Sequence, residues 1–264
     1  MRKRDIKFIF IAGPCVIEDK QTVLKTASYL KEVSSQYPVD FIFKASFYKA
    51  NRTSMKSFRG PGLTKGLRIL EEVKRKFGLR VLSDVHCRND VKEVKDVLDV
   101  IQIPAFLSRQ TDLIVKAAQT NKIINIKKAQ FMSPYDIKYV IEKVTSVGNK
   151  KIFVTERGTC FGYNNLVVDF RSFFIMREFG YPVIFDVTHS LQRPSLLKGV
   201  SGGDREFVEP MALAGVACGV DGLFMEVHPW PRRARSDKAT IFPLKKIESL
   251  LNRVFKVKRA IDED

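Results

Sequence analysis

Phe8-Ile-Phe-Ile-Ala-Gly-Pro-Cys15 is the stretch from which the fold can be worked out. It is a short run of β-branched and aromatic residues that ends in glycine, proline and a cysteine. Such a run predicts a strand buried on both faces. A secretory leader needs roughly 7–15 apolar residues, whereas this region is interrupted by Asp5 and Lys7 and is closed by Pro14. We therefore expect a strand here and not a leader.

Seven more runs of this kind follow and alternate with segments of helical periodicity. The predicted strands are Phe8–Ala12, Asp40–Phe43, Arg80–Ser83, Val100–Ile103, Ile123–Ile126, Lys151–Thr155, Pro182–Phe185 and Gly222–Met225. The 3.6-residue period of a helix occurs in Thr22–Gln36, Leu63–Phe77, Gln110–Thr120, Pro134–Val147, Asp169–Phe179, Arg205–Cys218 and Leu244–Ala260, and more weakly in Asn89–Val97. This alternation predicts an α/β protein of the (β/α)8 TIM barrel type. Because no linker divides the chain, we expect a single catalytic domain over residues 1–264, with an open doubly wound sheet as the alternative.

The composition narrows the function classes. The chain has 264 residues, 45% of them hydrophobic, and a net charge of +17. That apolar content excludes a disordered chain, and no run approaches the roughly 18–20 apolar residues of a membrane span. Four cysteines without C-x-x-C spacing predict reduced thiols in a cytoplasmic protein. The positive charge fits polyanionic substrates as well as nucleic acid, but no nucleic-acid module is found, so we expect neither a nucleic-acid nor a membrane partner.

The residues that follow the predicted strands carry the candidate chemistry. In a (β/α)8 barrel, the active site forms at the C-terminal ends of the strands. The residues at these positions are Cys15, Lys44, Asp84, Gln102, Pro104, Lys128, Arg157, His189, Glu226 and His228. Such a concentration of polar groups predicts an active site at one end of the barrel.

Three of these residues form a candidate metal site. Cys15, His189 and Glu226 end the first, seventh and eighth strands, which are neighbours only if the sheet closes. A thiolate, an imidazole and a carboxylate suit Zn²⁺ or Fe²⁺, and Asp237 could supply a fourth ligand. From the residues alone, a buried structural cysteine and a hydrogen-bonded core histidine remain alternatives.

Cations are the second recurring feature of the strand ends. Lys44-Ala-Ser-Phe-Tyr-Lys49-Ala-Asn51-Arg52-Thr53 carries three cations, and Lys127-Lys128, Arg157 and Arg109 add others. Arginine engages phosphate with a planar fork, and lysine acts as a compact charge. The pattern predicts small substrates that carry more than one phosphate or carboxylate.

Nine motifs together resemble the 3-deoxy-D-manno-octulosonate 8-phosphate synthases. They are Ile11-Ala-Gly-Pro-Cys15, Phe43-Lys-Ala-Ser-Phe47, Lys49-Ala-Asn-Arg-Thr53, Ser57-Phe-Arg-Gly60, Ile103-Pro-Ala-Phe-Leu-Ser-Arg-Gln-Thr-Asp112, Thr155-Glu-Arg-Gly158, Phe161-Gly-Tyr-Asn-Asn-Leu166, Asp186-Val-Thr-His-Ser190 and Met225-Glu-Val-His-Pro229. The resemblance implies a TIM barrel transferase that condenses phosphoenolpyruvate with D-arabinose 5-phosphate and water. The products are 3-deoxy-D-manno-octulosonate 8-phosphate, for the inner core of lipopolysaccharide, and inorganic phosphate. It also implies a homotetramer.

The resemblance further implies a role for each site residue. Metal-dependent members of the family carry Cys where the others carry Asn, so the metal ligands here would be Cys15, His189, Glu226 and Asp237, binding Zn, Fe or Mn. The phosphoenolpyruvate carboxylate would contact Lys44, Ser46 and Lys49, and its phosphate Lys128 and Arg157. Arabinose 5-phosphate would contact Asn51, Arg52 and Thr53, with Arg109 of a neighbouring subunit on its phosphate. The implied catalytic residues are Cys15, Lys44, Lys49, Asp84 and His189, with Asp84 near the sugar and the metal.

Two positions of this chain depart from the family pattern, and two alternative functions remain open. Tyr48 stands where many members have Asp, and Thr53 where Ser is usual. A 3-deoxy-D-arabino-heptulosonate 7-phosphate synthase would use erythrose 4-phosphate instead; its members typically have Lys-Pro-Arg-Thr, so that Asn51 favours the longer sugar. A basic nucleic-acid-binding protein is the alternative from another class.

Overall fold

A closed ring of parallel strands organises the computed structural model, which describes residues 6–197 and 200–262. The strands of these residues are β1 (Phe8–Gly13), β2 (Val39–Lys44), β3 (Arg80–Asp84), β4 (Val100–Ile103), β5 (Ile123–Lys127), β6 (Ile152–Glu156), β7 (Thr159–Cys160), β8 (Leu166–Val167), β9 (Val183–Asp186), β10 (Gln192–Leu197), β11 (Val200–Gly203), β12 (Gly222–His228) and β13 (Phe242–Pro243). The ring runs β1-β2-β3-β4-β5-β6-β9-β12 and closes where β12 pairs with β1. The predicted (β/α)8 barrel is confirmed.

Helices surround this ring on the outside. They are α1 (Lys20–Ser34), α2 (Leu63–Phe77), α3 (Arg88–Val94), α4 (Thr111–Ala118), α5 (Ile137–Thr145), α6 (Arg171–Arg177), α7 (Val187–Ser190), α8 (Val208–Ala217) and α9 (Ile247–Asp262). Local chemistry sets their ends: Asp19 caps α1 by accepting a hydrogen bond from the Thr22 N–H at 2.7 Å, and Gly78 ends α2 with φ at 66°. No helix among the described residues is long and apolar enough to cross a membrane.

The predicted helices are close to the observed ones but extend too far at some ends. The segment predicted from Pro134 begins with a 3-10 turn, and α5 starts only at Ile137. The hairpins β7–β8 and β10–β11 were not predicted, because two-residue strands and irregular pairs leave no periodicity to read. Residues 1–5, 198–199 and 263–264 of the predicted domain lie outside the described residues.

The side chains that point inward from every second residue of the strands form two layers inside the ring. The lower layer is an apolar core, to which Ile9, Ile11, Ile42, Leu82, Val100, Phe153, Ile184 and Phe224 contribute. Because side chains on one face of a strand recur every second residue, the residue two positions after each of these also faces inward. Those next positions include Lys44, Asp84, Gln102, Asp186 and Glu226. The polar layer therefore lies directly on the apolar core, at the C-terminal ends of the strands.

The pairing of β12 with β1, which closes the barrel, depends on a glycine. A Cβ at Gly222 would lie 2.2 Å from the Ile9 carbonyl oxygen across the β1–β12 pair. We predict that Gly222→Ala lowers the free energy of unfolding by at least about 3 kcal/mol, because the strands must separate at the seam. Gly148→Ala is the control: nothing lies within 4 Å of its Cβ, so only the left-handed backbone adds a cost of about 1–2 kcal/mol. Urea unfolding followed by circular dichroism measures both, and equal losses would contradict the prediction.

Candidate active site

Two adjoining cavities open at the C-terminal ends of the barrel strands. The inner cavity has a volume of about 250 Å³ and is lined by strand-end residues that include Lys44, Asp84, Gln102, Lys127 and Asp186. The outer cavity, of about 480 Å³, is lined mainly by loop residues that include Arg52, Thr53, Ser57, Arg235 and Asp237. The two cavities share Lys49, Asn51, Phe106, Gln130, Arg157 and His189. A group bound in one cavity would thus be in reach of a group bound in the other.

The four predicted metal ligands converge beside these cavities. The Cys15 Sγ and carboxylate oxygens of Glu226 and Asp237 all lie within 4.8 Å of one another. His189 Nε2 lies 3.5 Å from Glu226 Oε1 and 4.0 Å from Asp237 Oδ2. Sequence positions more than 170 residues apart are brought together because β1 and β12 pair at the barrel seam.

The electrostatics of this cluster fit a divalent cation. Burial, then the charges of Asp237 and Glu226, raise the pKa of the Cys15 thiol well above its ordinary value. The thiol donates a hydrogen bond to Asp237 Oδ2 at 2.9 Å. The buried carboxylate of Glu226 and the partly buried carboxylate of Asp237, beside a thiol and an imidazole, form the sulfur, nitrogen and oxygen donor set that Zn²⁺ and related ions prefer. A cation there would favour the thiolate that the carboxylates now disfavour.

Asp186 orients the histidine of the cluster. Asp186 Oδ1 accepts a hydrogen bond from the His189 backbone N–H at 3.0 Å, which caps α7, and Asp186 Oδ2 lies 2.7 Å from His189 Nδ1. A carboxylate at that distance favours the proton on Nδ1 and leaves Nε2 available as a ligand. Burial opposes ionisation of Asp186, but His189 and Lys127 hold the pKa of this carboxyl well below its ordinary value.

Glu226 is held ionised by two lysines and the same histidine. Lys44 Nζ lies 2.8 Å and Lys49 Nζ 3.8 Å from Glu226 Oε1. Burial alone would raise the pKa of Glu226, but His189, Lys44 and Lys49 lower it. Lys44 also donates to the Cys15 carbonyl oxygen at 2.8 Å, which ties the ends of β1 and β2 together. The predicted catalytic lysines therefore lie against the metal-ligand cluster.

Lys127, and not the predicted Lys128, enters the inner cavity. Lys127 pairs with Asp186, its Nζ lies 3.2 Å from the Phe224 ring centroid, and burial lowers its pKa to about 8. Lys128 faces the opposite side of the strand end, where its Nζ donates to the Met132 carbonyl and to Thr159 Oγ1, both at 3.1 Å. It lines neither cavity. The prediction that Lys128 reaches a bound substrate does not fit this geometry: consecutive residues of a strand point to opposite faces, and Lys127 takes the inward position.

Arg157 has an open hydrogen-bonding position. It lines both cavities, and its Nη2 donates to Gln192 Oε1 at 3.0 Å. Its Nη1 is buried with no hydrogen-bond partner among the described residues. Buried donors are normally paired, so Arg157 is well suited to receive an anion, and its contact with a substrate phosphate stays a prediction.

Asp84 belongs to a second polar group that includes a residue the sequence analysis missed. Ser46 donates a hydrogen bond to Asp84 Oδ1, and His86 Nε2 lies 3.0 Å from Asp84 Oδ2. Burial lowers the pKa of His86, but its hydrogen bond to Asp84 and the neighbouring carboxylate of Asp90 raise that pKa to about 9, so the ring is charged at neutral pH. Tyr48 lies outside the residues that line the cavities and packs edge-on against His86, with ring centroids 5.6 Å apart.

The three residues predicted to bind the second substrate line the outer cavity. These are Asn51, Arg52 and Thr53. Arg52 donates to Ser236 Oγ through Nη2, and its Nη1 lies 3.7 Å from Asp237 Oδ1. Arg109 is exposed and lines neither cavity, and its carbonyl accepts a hydrogen bond from Lys143 at 3.1 Å. Its action on a neighbouring subunit stays a prediction.

The fold and this site together define a (β/α)8-barrel enzyme with a candidate metal centre and cation-lined cavities. A profile of the DAHP synthetase I family matches residues 2–263, and the chain belongs to that family. Similar proteins named 2-dehydro-3-deoxyphosphooctonate aldolase occur in Desulfatibacillum aliphaticivorans (52% identity over 252 residues, 96% of this chain and 92% of the relative) and Legionella pneumophila strain Corby (54% over 247 residues, 94% and 90%). Another occurs in Geobacter sulfurreducens (50% over 258 residues, 98% and 93%). That name is a synonym of the synthase family indicated by the nine motifs, so the resemblance is confirmed.

The two neighbouring lysines provide a direct test of the cavity assignment. We predict that Lys127→Met weakens binding of inorganic phosphate by at least about tenfold, because a charge-assisted contact is lost. Lys128→Met should leave phosphate affinity unchanged and lower only the free energy of unfolding, because Glu156, 3.5 Å from Lys128 Nζ, loses a buried cation. Calorimetric titration and urea unfolding separate the two effects. Equal losses of phosphate affinity would refute the assignment.

Proposed function

We propose that the chain condenses phosphoenolpyruvate with D-arabinose 5-phosphate and water, and releases 3-deoxy-D-manno-octulosonate 8-phosphate and inorganic phosphate. The names of relatives at 50–54% identity support this reaction. The observation that carries the proposal is the pair of cavities, both lined by cations and sharing one wall. Two phosphorylated substrates repel each other, so a site that joins them needs positive charge around each phosphate.

The inner cavity suits phosphoenolpyruvate. Its phosphate would lie between Lys127, a compact charge, and Arg157, whose Nη1 has an open hydrogen-bonding position. Its carboxylate would lie against Lys44 and Lys49, near the end of β2. Ser46, predicted to join them, is buried, lines neither cavity and donates to Asp84 instead. In this position C3 of the enol phosphate would face the wall that the two cavities share, where the aldehyde of the second substrate must arrive.

The carbon–carbon bond then forms between C3 of phosphoenolpyruvate and the aldehyde carbon, while water adds to C2. The carbon–oxygen bond to the phosphate breaks afterwards and inorganic phosphate leaves. Asp84 and Asp186 line the inner cavity and are held ionised, so each can orient the attacking water by accepting a hydrogen bond from it, although the lowered pKa of each makes it a weak base. The proton that the water loses is balanced by the proton that the aldehyde oxygen gains when it becomes a hydroxyl. Lys127 and Arg157 would stabilise the charge on the departing phosphate.

The candidate metal centre fits this chemistry. Cys15, His189, Glu226 and Asp237 would hold one divalent ion, which we propose to be Zn, Fe or Mn. When bound, such an ion supplies Lewis acidity for a carbonyl oxygen or for water. The protein's contribution is to orient the ligands: Asp186 sets the tautomer of His189, and Lys44 holds Glu226 in place.

Asn51 favours the reaction with arabinose 5-phosphate over the alternative reaction with erythrose 4-phosphate. A 3-deoxy-D-arabino-heptulosonate 7-phosphate synthase is supported by the name of the matching family alone. Asn51 lines both cavities, where its amide can hydrogen-bond a sugar hydroxyl, and proline at this position would lack that group. The cavities and the named relatives favour either enzyme over a nucleic-acid-binding protein.

We further propose a cytoplasmic homotetramer that serves lipopolysaccharide synthesis. Large aromatic side chains are exposed in the loops after β4 and β5 and in the turn of the β7–β8 hairpin, among them Phe106, Phe131 and Phe161. Exposed apolar groups of this size on neighbouring loops favour a protein interface. Arg109 lies in the same loop as Phe106 and would reach the outer cavity of a neighbouring subunit. The four free cysteines fit a reducing compartment.

The choice of sugar tests the proposed function directly. We expect the purified protein to release inorganic phosphate from phosphoenolpyruvate with arabinose 5-phosphate, with kcat/KM at least about tenfold higher than with erythrose 4-phosphate. Reactions without either sugar are the control. Faster turnover of erythrose 4-phosphate would select the alternative enzyme.

Removal of the metal tests the proposed centre. We expect chelation to abolish turnover and Zn²⁺, Fe²⁺ or Mn²⁺ to restore it, because the clustered carboxylates and thiol need a cation. Cys15→Ser should lose at least about 100-fold in activity and not recover, since it lacks the sulfur ligand. Cys218→Ser, which changes a cysteine outside both cavities, is the matched control. Full activity of chelated Cys15→Ser would exclude a metal role for this residue.

A further inference from the structure

The loop between β12 and β13 carries Asp237, a candidate metal ligand, in an unusual backbone conformation. Asp237 adopts a φ of 45°, a left-handed conformation that persists in residues other than glycine only where the surrounding structure holds it. On its C-terminal side the hold is local, because the Asp237 carbonyl accepts hydrogen bonds from the N–H groups of Thr240 and Ile241, both at 3.0 Å. On its N-terminal side the loop is held by a residue that follows β1.

That residue is Glu18, in the segment that joins β1 to α1. Its Oε1 accepts a hydrogen bond at 2.7 Å from the backbone N–H of Arg235, two residues before Asp237. A hydrogen bond to a carboxylate is charge-assisted and stronger than one between neutral groups. The Glu18 side chain is only 12% exposed, and a carboxylate that is mostly buried lowers stability unless it is paired. The contact therefore differs from the weak contacts of exposed surface carboxylates.

Glu18 follows Cys15 by three residues and stands on a fixed segment. Ile17 is fully buried, and its N–H donates to the Ser46 carbonyl oxygen at 2.9 Å. Val16 forms an isolated parallel bridge with Ser46. The segment from Cys15 to Glu18 thus extends the pairing of β1 with β2, and Glu18 is fixed relative to the thiol.

His228, at the end of β12, faces the same carboxylate. Its Nδ1 accepts a hydrogen bond from the Trp230 N–H at 2.9 Å, so the proton of the neutral ring lies on Nε2. Nε2 is buried, has no hydrogen-bond partner among the described residues and lies 3.7 Å from Glu18 Oε1. The imidazole therefore presents an N–H toward Glu18. Both ends of this contact lie at the β1–β12 seam.

The same two segments supply ligands to the candidate metal centre. Cys15 comes from the segment after β1, and Asp237 from the loop after β12. Ala234 and Ile241, on either side of Asp237, pack with Cys15 in a small apolar cluster. The Glu18 contact joins these segments without a cation, so that less conformational freedom is lost when a cation binds.

We propose that Glu18 is a positioning residue for the candidate metal centre: by holding the Arg235 N–H, it keeps Asp237 next to Cys15 and raises the affinity for a divalent cation. Glu18 acts through the backbone and lines neither cavity. The inference deepens the proposed function, because it rests on the metal centre assigned there. Removal of a contact that orients metal ligands typically weakens metal binding by about 10–100-fold.

Two substitutions separate the hydrogen bond of Glu18 from its charge. Glu18→Gln removes the charge but keeps an oxygen that accepts the Arg235 N–H, so we expect the affinity for Co²⁺ to stay close to wild type. Glu18→Asp keeps the charge but draws its oxygens away from that N–H, so we expect Co²⁺ to bind at least about tenfold more weakly. Titration of the chelated whole chain with Co²⁺, followed by the thiolate-to-cobalt absorption band, measures both affinities. Equal affinities, or the reverse order, would overturn the proposal, because the carboxylate would then act by charge or not at all.

Asp19→Ala is the matched control for a purely structural effect. Asp19 is the next residue along the chain, and its side chain caps α1 by accepting the Thr22 N–H at 2.7 Å. The variant should lower the midpoint of thermal unfolding and leave Co²⁺ affinity unchanged. If Asp19→Ala weakens Co²⁺ binding as much as Glu18→Asp does, general loosening of the segment explains both losses and the proposal is wrong. Thermal unfolding of each chelated variant verifies that the fold is kept.

Metal binding and turnover are measured separately, so this inference and the proposed reaction can fail independently. Weaker Co²⁺ binding in Glu18→Asp supports the role of Glu18 even if the wild type releases no phosphate from phosphoenolpyruvate. Normal turnover in the wild type, with wild-type Co²⁺ affinity in Glu18→Asp, overturns the role of Glu18 and leaves the reaction intact. A wild type without the thiolate-to-cobalt band overturns both this role and the metal centre on which it rests.

Discussion

The pairing of β12 with β1 is the contact on which the rest of the molecule depends. Gly222 lies opposite Ile9, and only the absence of a side chain at Gly222 lets the two backbones approach. Closure places Cys15, just after β1, beside Glu226 near the end of β12. An open sheet would put these strands at opposite edges, and neither the metal-ligand cluster nor a shared wall between two cavities would exist.

The site is built from buried charges that neutralise one another. Glu226 faces Lys44 and Lys49, and Asp186 faces Lys127 and His189. Buried charges lower stability unless they are paired, so each partner keeps the other ionised. Arg157 and the Cys15 thiol are the exceptions: one has an open donor and the other a raised pKa. An anion bound at Arg157 and a cation bound at Cys15 would complete the neutralisation of charge in the site.

The alternation of side chains between the two faces of a strand explains which site residues could be predicted from the sequence. Lys44 and Asp84 follow short, clear strands and were placed correctly at the cavity. Lys127 and Lys128 are adjacent at the end of β5, so an error of one residue in register exchanges the inward and outward lysine. His86 was missed because it lies in the loop after β3, where its charge depends on Asp84 and Asp90 folding around it.

The sequence by itself determined the alternation of strands and helices, the family, and the residue types at the strand ends, because these follow from local periodicity and from motifs of consecutive residues. Only the tertiary structure decided which side chains share a cavity. It selected Lys127 over Lys128 for the inner cavity and placed Tyr48 outside both cavities, edge-on against His86. It also brought Arg235 onto Phe58. Such contacts join positions far apart in the chain, and the closed ring of strands alone sets their distances.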